Sequence, residues 1–315
     1  MSGLPTRAFL QTRGAGRAGD YTFLGSAPDE TWWRAYRDTT AFDHPTVLLT
    51  SDGGRWAAYL SGVPSARVDA VGTVVRYTLV LDGPCGAAET DCVVAGVAAW
   101  LDDVAAGADG PRGRLSVALD ERFPADLVDR MIATPFPGGA GSGPGGRGVG
   151  LSDLAPRFCT DATLVGSRVM EALRALPGAP HAVDSAGGGA GTPGGARDWL
   201  GTVADPTARA AFVARVRRLL AGTPGRALLL NLVGSPGDAA ALLDPASPVV
   251  VLVDGPTPAR MAPLRSEVDA KKALPAPALA RRAGVAAVVG TAALPVMAAA
   301  VILAALLLTV LVLLL

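Results

Sequence analysis

Between residues 46 and 60 the chain carries two short apolar runs on either side of Ser51-Asp52-Gly53-Gly54, which reads as two antiparallel strands joined by a tight turn. A third strand is predicted over residues 73–81. Asp91 then opens a helix, because Val93, Val97, Trp100, Leu101 and Val104 recur at helical spacing and share one face. Residues 114–119 read as a further strand and 124–133 as a short helix, and upstream of the hairpin a helix capped by Asp29 is expected to run to Asp38. Strands in a run with helices laid across them make the subregion 1–134 an α+β layer.

A different pattern follows. Residues 162–176 place Val165, Val169, Leu173 and Leu176 on one helical face, and Asp205-Pro206 starts a second helix with an apolar stripe of Phe212, Val213, Val216, Leu219 and Leu220. Arg209, Arg215 and Arg218 are expected on its solvent side, with Gly222 as its stop. The continuous apolar runs 227–233 and 249–253, separated by a short helix at 238–243, have the character of strands buried on both faces. The subregion 151–254 is therefore predicted as a small α/β unit with parallel pairing, and the fold class as α/β overall.

Between the two lies a glycine-rich linker, residues 135–150; a second such stretch spans 185–195. The linker lacks the Gly-Lys-Ser/Thr ending with which a Walker loop reaches phosphate and magnesium.

From Ala283 to Leu315 the chain carries no charge, and at ~1.5 Å per residue a helix of that length would reach roughly 50 Å, more than one crossing of a ~30 Å hydrocarbon core needs. We read it as a transmembrane tail anchor whose strongly apolar half, beginning after Pro295, includes Val296, Leu303, Leu306 and Leu311. Residues 255–282 form a proline-rich basic tether. Its Arg265, Lys271, Lys272, Arg281 and Arg282 precede the span, so the positive-inside bias predicts a single-pass protein of the cell membrane with its N-terminal part in the cytoplasm. Residues 1–21 offer no apolar run of the kind a secretory leader needs.

Charge and cysteine content narrow the chemistry. With 28 basic and 28 acidic residues the formal net charge is zero, so no global field argues for nucleic acid. The three cysteines, Cys85, Cys92 and Cys159, have no paired ligand spacing, and only two histidines, His44 and His181, are available, so neither a metal site nor a disulfide frame is expected. No cofactor is expected either. Asp43-His44 and His181 with Asp184 supply the minimum for general-base chemistry without a serine or cysteine elbow to serve. Trp32, Trp33 and Tyr36, interleaved with Arg34 and Arg37, fit amphipathic burial as well as base stacking. Gly234-Ser235-Pro236-Gly237-Asp238 joins a buried strand to a helix and is a weak candidate for holding an anion on backbone amides.

The most unusual polar stretch of the first subregion is 62–76, a loop between strands that places Arg67, Asp69 and Arg76 near one another as a candidate ligand or partner surface. Gln11-Thr-Arg-Gly-Ala-Gly-Arg-Ala-Gly-Asp-Tyr-Thr-Phe23, the later Arg67-Val-Asp69 with Gly72, and the strand opening at Tyr77 together resemble the N-terminal domain of bacterial GTPase-associated proteins of NTP-dependent conflict systems. Where that family's strand carries Asn and His, this chain has Val75, Arg76 and Tyr77. The resemblance implies a GTPase as the protein partner, beside the lipid bilayer. The expected function is interaction or regulation at a membrane; a tethered hydrolase or nucleotide-binding enzyme, and a membrane-perturbing effector, are the alternatives.

Overall fold

The computed structural model describes residues 5–14, 21–41, 44–107, 113–133, 162–178, 197–233, 236–254 and 261–264. Its strands are β1 (Arg7–Thr12), β2 (Thr22–Phe23), β3 (Thr46–Ser51), β4 (Arg55–Val68), β5 (Val74–Pro84), β6 (Trp199–Thr202), β7 (Gly225–Leu230), β8 (Val249–Val253) and β9 (Ala262–Pro263). The helices are α1 (Thr90–Ala105), α2 (Arg114–Arg122), α3 (Ala125–Ala133), α4 (Ala162–Ala175), α5 (Pro206–Leu220) and α6 (Pro236–Ala240), with a 3₁₀ turn at Trp32–Tyr36.

All nine described strands join one mixed sheet in the order β2-β1-β5-β4-β3-β7-β8-β6-β9. The predicted hairpin is its centre: β3 and β4 pair from Thr46↔Ser61 to Ser51↔Trp56, and Asp52 holds the turn by accepting from the Gly54 and Arg55 amides at 2.8 and 2.7 Å. The two buried runs of the second subregion are the parallel pair β7 and β8, and β6 lies parallel on the far side of β8. The two predicted subregions share this sheet, because β3 pairs antiparallel with β7 through Leu48↔Leu228 and its neighbours.

Alternation along the strands feeds two cores. One face presents Leu10, Leu49, Trp56, Leu60, Leu79 and Leu229 to α1, α2, α4 and α5. Helix α4 crosses β1 closely, since a Cβ on Gly166 would lie 3.0 Å from the Ala8 carbonyl oxygen. The other face presents Phe9, Leu48, Tyr59, Val80 and Leu228, covered by the aromatic 3₁₀ turn and by Ala239 and Leu242.

Several expectations change. Residues 114–119 are helical: Leu115, Ala118 and Leu119 are buried at helical spacing, and buried Asp103 meets the start of α2 by accepting from the Leu115 amide at 3.2 Å. The segment 29–38 forms only the 3₁₀ turn, whose N-cap Thr31 makes no side-chain capping bond. Asp205 does cap α5, accepting from Thr207 at 2.8 Å, but Arg215 lies inside, donating to the Pro224 and Pro248 carbonyls at 3.0 and 3.3 Å. Burial holds the Arg215 guanidinium below its ordinary pKa. Among the described residues no helix is long and apolar enough to cross a membrane; the tail 283–315, with Val296, Leu303, Leu306 and Leu311, lies outside them, as do the linker and the tether except residues 261–264, where β9 joins the sheet and Leu264 is buried.

Candidate functional site

Strands β4 and β5 run on beyond the end of β3 as a two-stranded arm, so most of 62–76 is strand and only 69–73 is a turn. The ladder slips between Leu60 and Val63, where Gly62 sits at φ +80°. That slip exchanges the faces. Trp56, Ala58 and Leu60 point into the helix-covered core at even positions; beyond the slip Val63, Ser65 and Arg67 are buried while Ala66 and Val68 are exposed.

Arg67 is therefore 7% exposed instead of solvated. Its guanidinium donates to the Arg13 carbonyl and to Thr12 Oγ1, both at 2.7 Å, and lies 5.1 Å from the Tyr77 ring centroid. Asp69 organises the turn, its Oδ1 accepting from the Val71 and Thr73 amides at 3.0 and 2.8 Å, and its Oδ2 pairs with Arg13 at 2.6 Å. The Thr73 amide first, then Val71 and Arg13, hold the Asp69 carboxyl below its usual range. Arg76 donates to the Gly62 carbonyl at 2.9 Å and its amide donates to the Tyr21 hydroxyl at 3.0 Å. All three predicted residues meet in the arm, each bonded within the fold.

Helix α2 closes the free edge of the arm, a row of backbone groups that an open strand would leave unpaired. Ser116 donates to the Pro64 carbonyl, and Asp120 accepts from the Ala66 amide at 2.8 Å and from the Tyr77 hydroxyl at 3.0 Å. Burial pushes the Tyr77 phenol far above its normal range and raises the Asp120 carboxyl. A raised carboxyl pKa in the folded state favours folding when protonated. Its contribution is thus complete below the unfolded value near 3.8 and lost as pH rises through the raised folded value. In urea titrations from pH 3 to 7, Asp120→Asn should flatten that part of the stability profile. A variant with the wild-type slope would remove Asp120 as its source.

The other predicted residues disperse. Gly234 and Ser235 lie outside the described residues, Gly237 and Asp238 fall in the five-residue α6, and Asp238 has an interaction of its own. Cys85 and Cys92 are free thiols; burial raises the Cys92 pKa. Asp43, Cys159, His181 and Asp184 are outside the described residues. Among those described, no group of three or more His, Cys, Asp and Glu could hold a metal ion. Trp33 stacks on Tyr59 at 5.4 Å and 17°, which places the aromatic triplet in packing against the sheet.

Two clefts of about 540 and 460 Å³ meet at the Arg7–Asp29 ion pair. The larger runs between the start of β1 and α4, over Phe9 and Met170, with Arg174 and Ser167 on its rim. The smaller lies on the face of the sheet that carries Phe9 and Val80, where Asp82 is clamped between Arg7 at 3.1 Å and Arg55 at 2.8 Å. The chain matches no protein-family model, no curated protein and no solved structure. The sequence did not point to this charged row, because Arg7 opens a strand whose apolar part is only Ala8-Phe9-Leu10. Arg55, which opens one predicted strand, and Asp82, which follows the end of another, were the available signal.

Proposed function

We propose that this chain is a membrane-tethered interaction or regulatory protein: an α/β body held at a lipid bilayer by its C-terminal tail and acting through binding. The observation that carries the reading is the uncharged stretch 283–315 directly behind Arg281 and Arg282. In the arm, Arg67, Asp69 and Arg76 make intramolecular bonds that serve the fold. The body would face the cytoplasm. A GTPase of a bacterial defence system is the partner to which the N-terminal resemblance points.

Fractionation of expressing cells tests the tether. The full chain is expected in the membrane pellet after an alkaline carbonate wash, whereas a chain ending at Ala280 keeps β9 and the buried Leu264 and should be soluble with a cooperative melt. Release of the full chain by carbonate would sink the anchor. Aggregation of the shortened chain would show that the tail belongs to the core.

A further inference from the structure

Strands β6, β7 and β8 run parallel, so their first residues lie together at one end of the sheet, beside the last turn of α5. Arginines collect at this corner. Arg197 precedes β6, Arg226 stands at the start of β7, and Arg215, Arg217 and Arg218 belong to the end of α5. Arg226 donates to the Leu242 and Ser247 carbonyls at 2.6 and 3.2 Å, as Arg215 does to Pro224 and Pro248. Carbonyls orient a guanidinium without neutralising it. After burial, Arg218 and more weakly Arg197 depress the Arg215 pKa, with Asp198 offsetting part, so these charges share one field.

Among the described residues none of these arginines forms an ion pair, and Arg197 and Arg218 are exposed. The acids of the corner serve backbone amides: Asp198 accepts from Val249 at 2.6 Å, Asp244 from Ala246 at 2.9 Å, and Asp52 from its own turn. The start of α1, with Glu89 and Asp91, borders the corner across the bond from the Gly86 amide to the Leu220 carbonyl. The dipole of α5 favours Arg217 and Arg218 at its C-terminus, but Arg197 belongs to no helix and gains nothing from it.

The chain leaves the sheet at the same corner. Trp199 faces Pro263 across β6 and β9, and the Leu264 amide donates to the Asp198 carbonyl at 2.9 Å, one residue from Arg197. Only residues 265–282, with their own five basic side chains, separate Leu264 from the uncharged tail, at most about 60 Å of extended chain. The arm lies at the other end of the sheet, because β4 runs on past Thr46 whereas Ser51 of β3 faces Gly225 at the start of β7.

We propose that this arginine corner is the face the body turns to an anionic bilayer, with Arg197 and Arg218 lying against lipid phosphates and Arg217 and Arg226 adding to the field. The inference rests on the tether proposed above. Guanidiniums suit phosphate oxygens through paired donors, and basic groups near an anionic leaflet are attracted within a Debye length of it.

Arginine modification by phenylglyoxal, read by peptide mass spectrometry, tests this with the full chain reconstituted in vesicles of phosphatidylcholine alone or with about 30 mol% phosphatidylglycerol. In the anionic vesicles Arg197 and Arg218 should react at least about threefold more slowly, and ~0.5 M salt should restore them. Arg37 is the control, because the bond from the Leu232 amide to the Thr39 carbonyl puts its segment at the other end of the sheet. Arg218→Glu, an exposed change, should keep the wild-type melt and remove most of the protection of Arg197. Equal rates in the two vesicles, equal slowing of Arg37, or protection of Arg197 that survives Arg218→Glu overturns the proposal. So does equal protection by inorganic phosphate beside neutral vesicles, which assigns the corner to a free anion. Flotation separates the two readings. A chain that floats with neutral vesicles but shows no protection in anionic ones keeps the tether and loses the corner. Flotation with anionic vesicles alone, with Arg197 and Arg218 protected, keeps the corner and loses the tether, and flotation with neither overturns both.

Discussion

Arg67→Ala is expected to lower the unfolding free energy by about 3 kcal/mol, since it deletes two charge-assisted hydrogen bonds from a buried network. The loss is compounded by what stays behind. Thr12 and the Arg13 carbonyl lose their donor, the Tyr77 ring loses its cation, and Asp120 loses a nearby compensating charge. Arg67→Lys keeps the charge without the planar fork and should recover only part of the loss. Val71→Ala at the exposed tip of the same arm serves as the control and should stay within ~0.5 kcal/mol. Urea unfolding followed by tryptophan fluorescence separates these outcomes. An Arg67→Ala midpoint equal to that of Val71→Ala would mean that the network contributes no net stability.

This prediction reverses what the sequence implies for Arg67, and the reason is geometric. Polar residues next to Asp69-Ala70-Val71-Gly72 look like a solvated loop, and strict alternation from Trp56 would put odd positions on the face away from the helices. One irregularity after Leu60 moves them to the other face. A glycine in a strand pattern is a hint of such a slip, but its side-chain consequences follow only once the partner strand is known. Local signals sufficed where they were strong: the Asp52 turn, the 3.6 period of α1 and α4, the Asp205-Pro206 start of α5, and the β7 and β8 runs.

They failed where tertiary contacts decide. The apolar spacing of residues 114–119 is short enough to read as strand or helix, and Asp103, packing against the Leu115 amide, together with the buried positions Ala118 and Leu119, selects helix. Strand β1 is invisible for a related reason: its stability comes from pairing with β5 and from the cover of α4, not from propensity. The joining of the two subregions also has no local signal. β3 alternates like a half-buried strand, and nothing in its residues names β7 as its second neighbour. The charged cleft inherits this limit, because its row is assembled from β1, β5, β4 and β3 and exists only once their register is set.

Gly62→Ala should have the largest effect of any single methyl group added to the arm. At φ +80° an L-residue is strained wherever it sits, and here the added Cβ would run into the His44 carbonyl and lie 2.8 Å from the Pro45 nitrogen. These are backbone atoms that cannot rotate away. The segment is held in turn: the Asn231 amide donates to the Pro45 carbonyl at 3.1 Å and to Thr46 Oγ1 at 2.8 Å. Relief of the clash must therefore straighten the slip in β4, and straightening it would drive Arg67 out of the core and Val68 toward it. We expect a loss of about 3 kcal/mol or more, combining backbone strain with the displaced network. The two substitutions share one mechanism, so Gly62→Ala with Arg67→Ala should cost clearly less than the sum of the singles. Strict additivity in the double-mutant cycle would show that the glycine and the arginine act separately, and that the slip is not what holds Arg67 in the core.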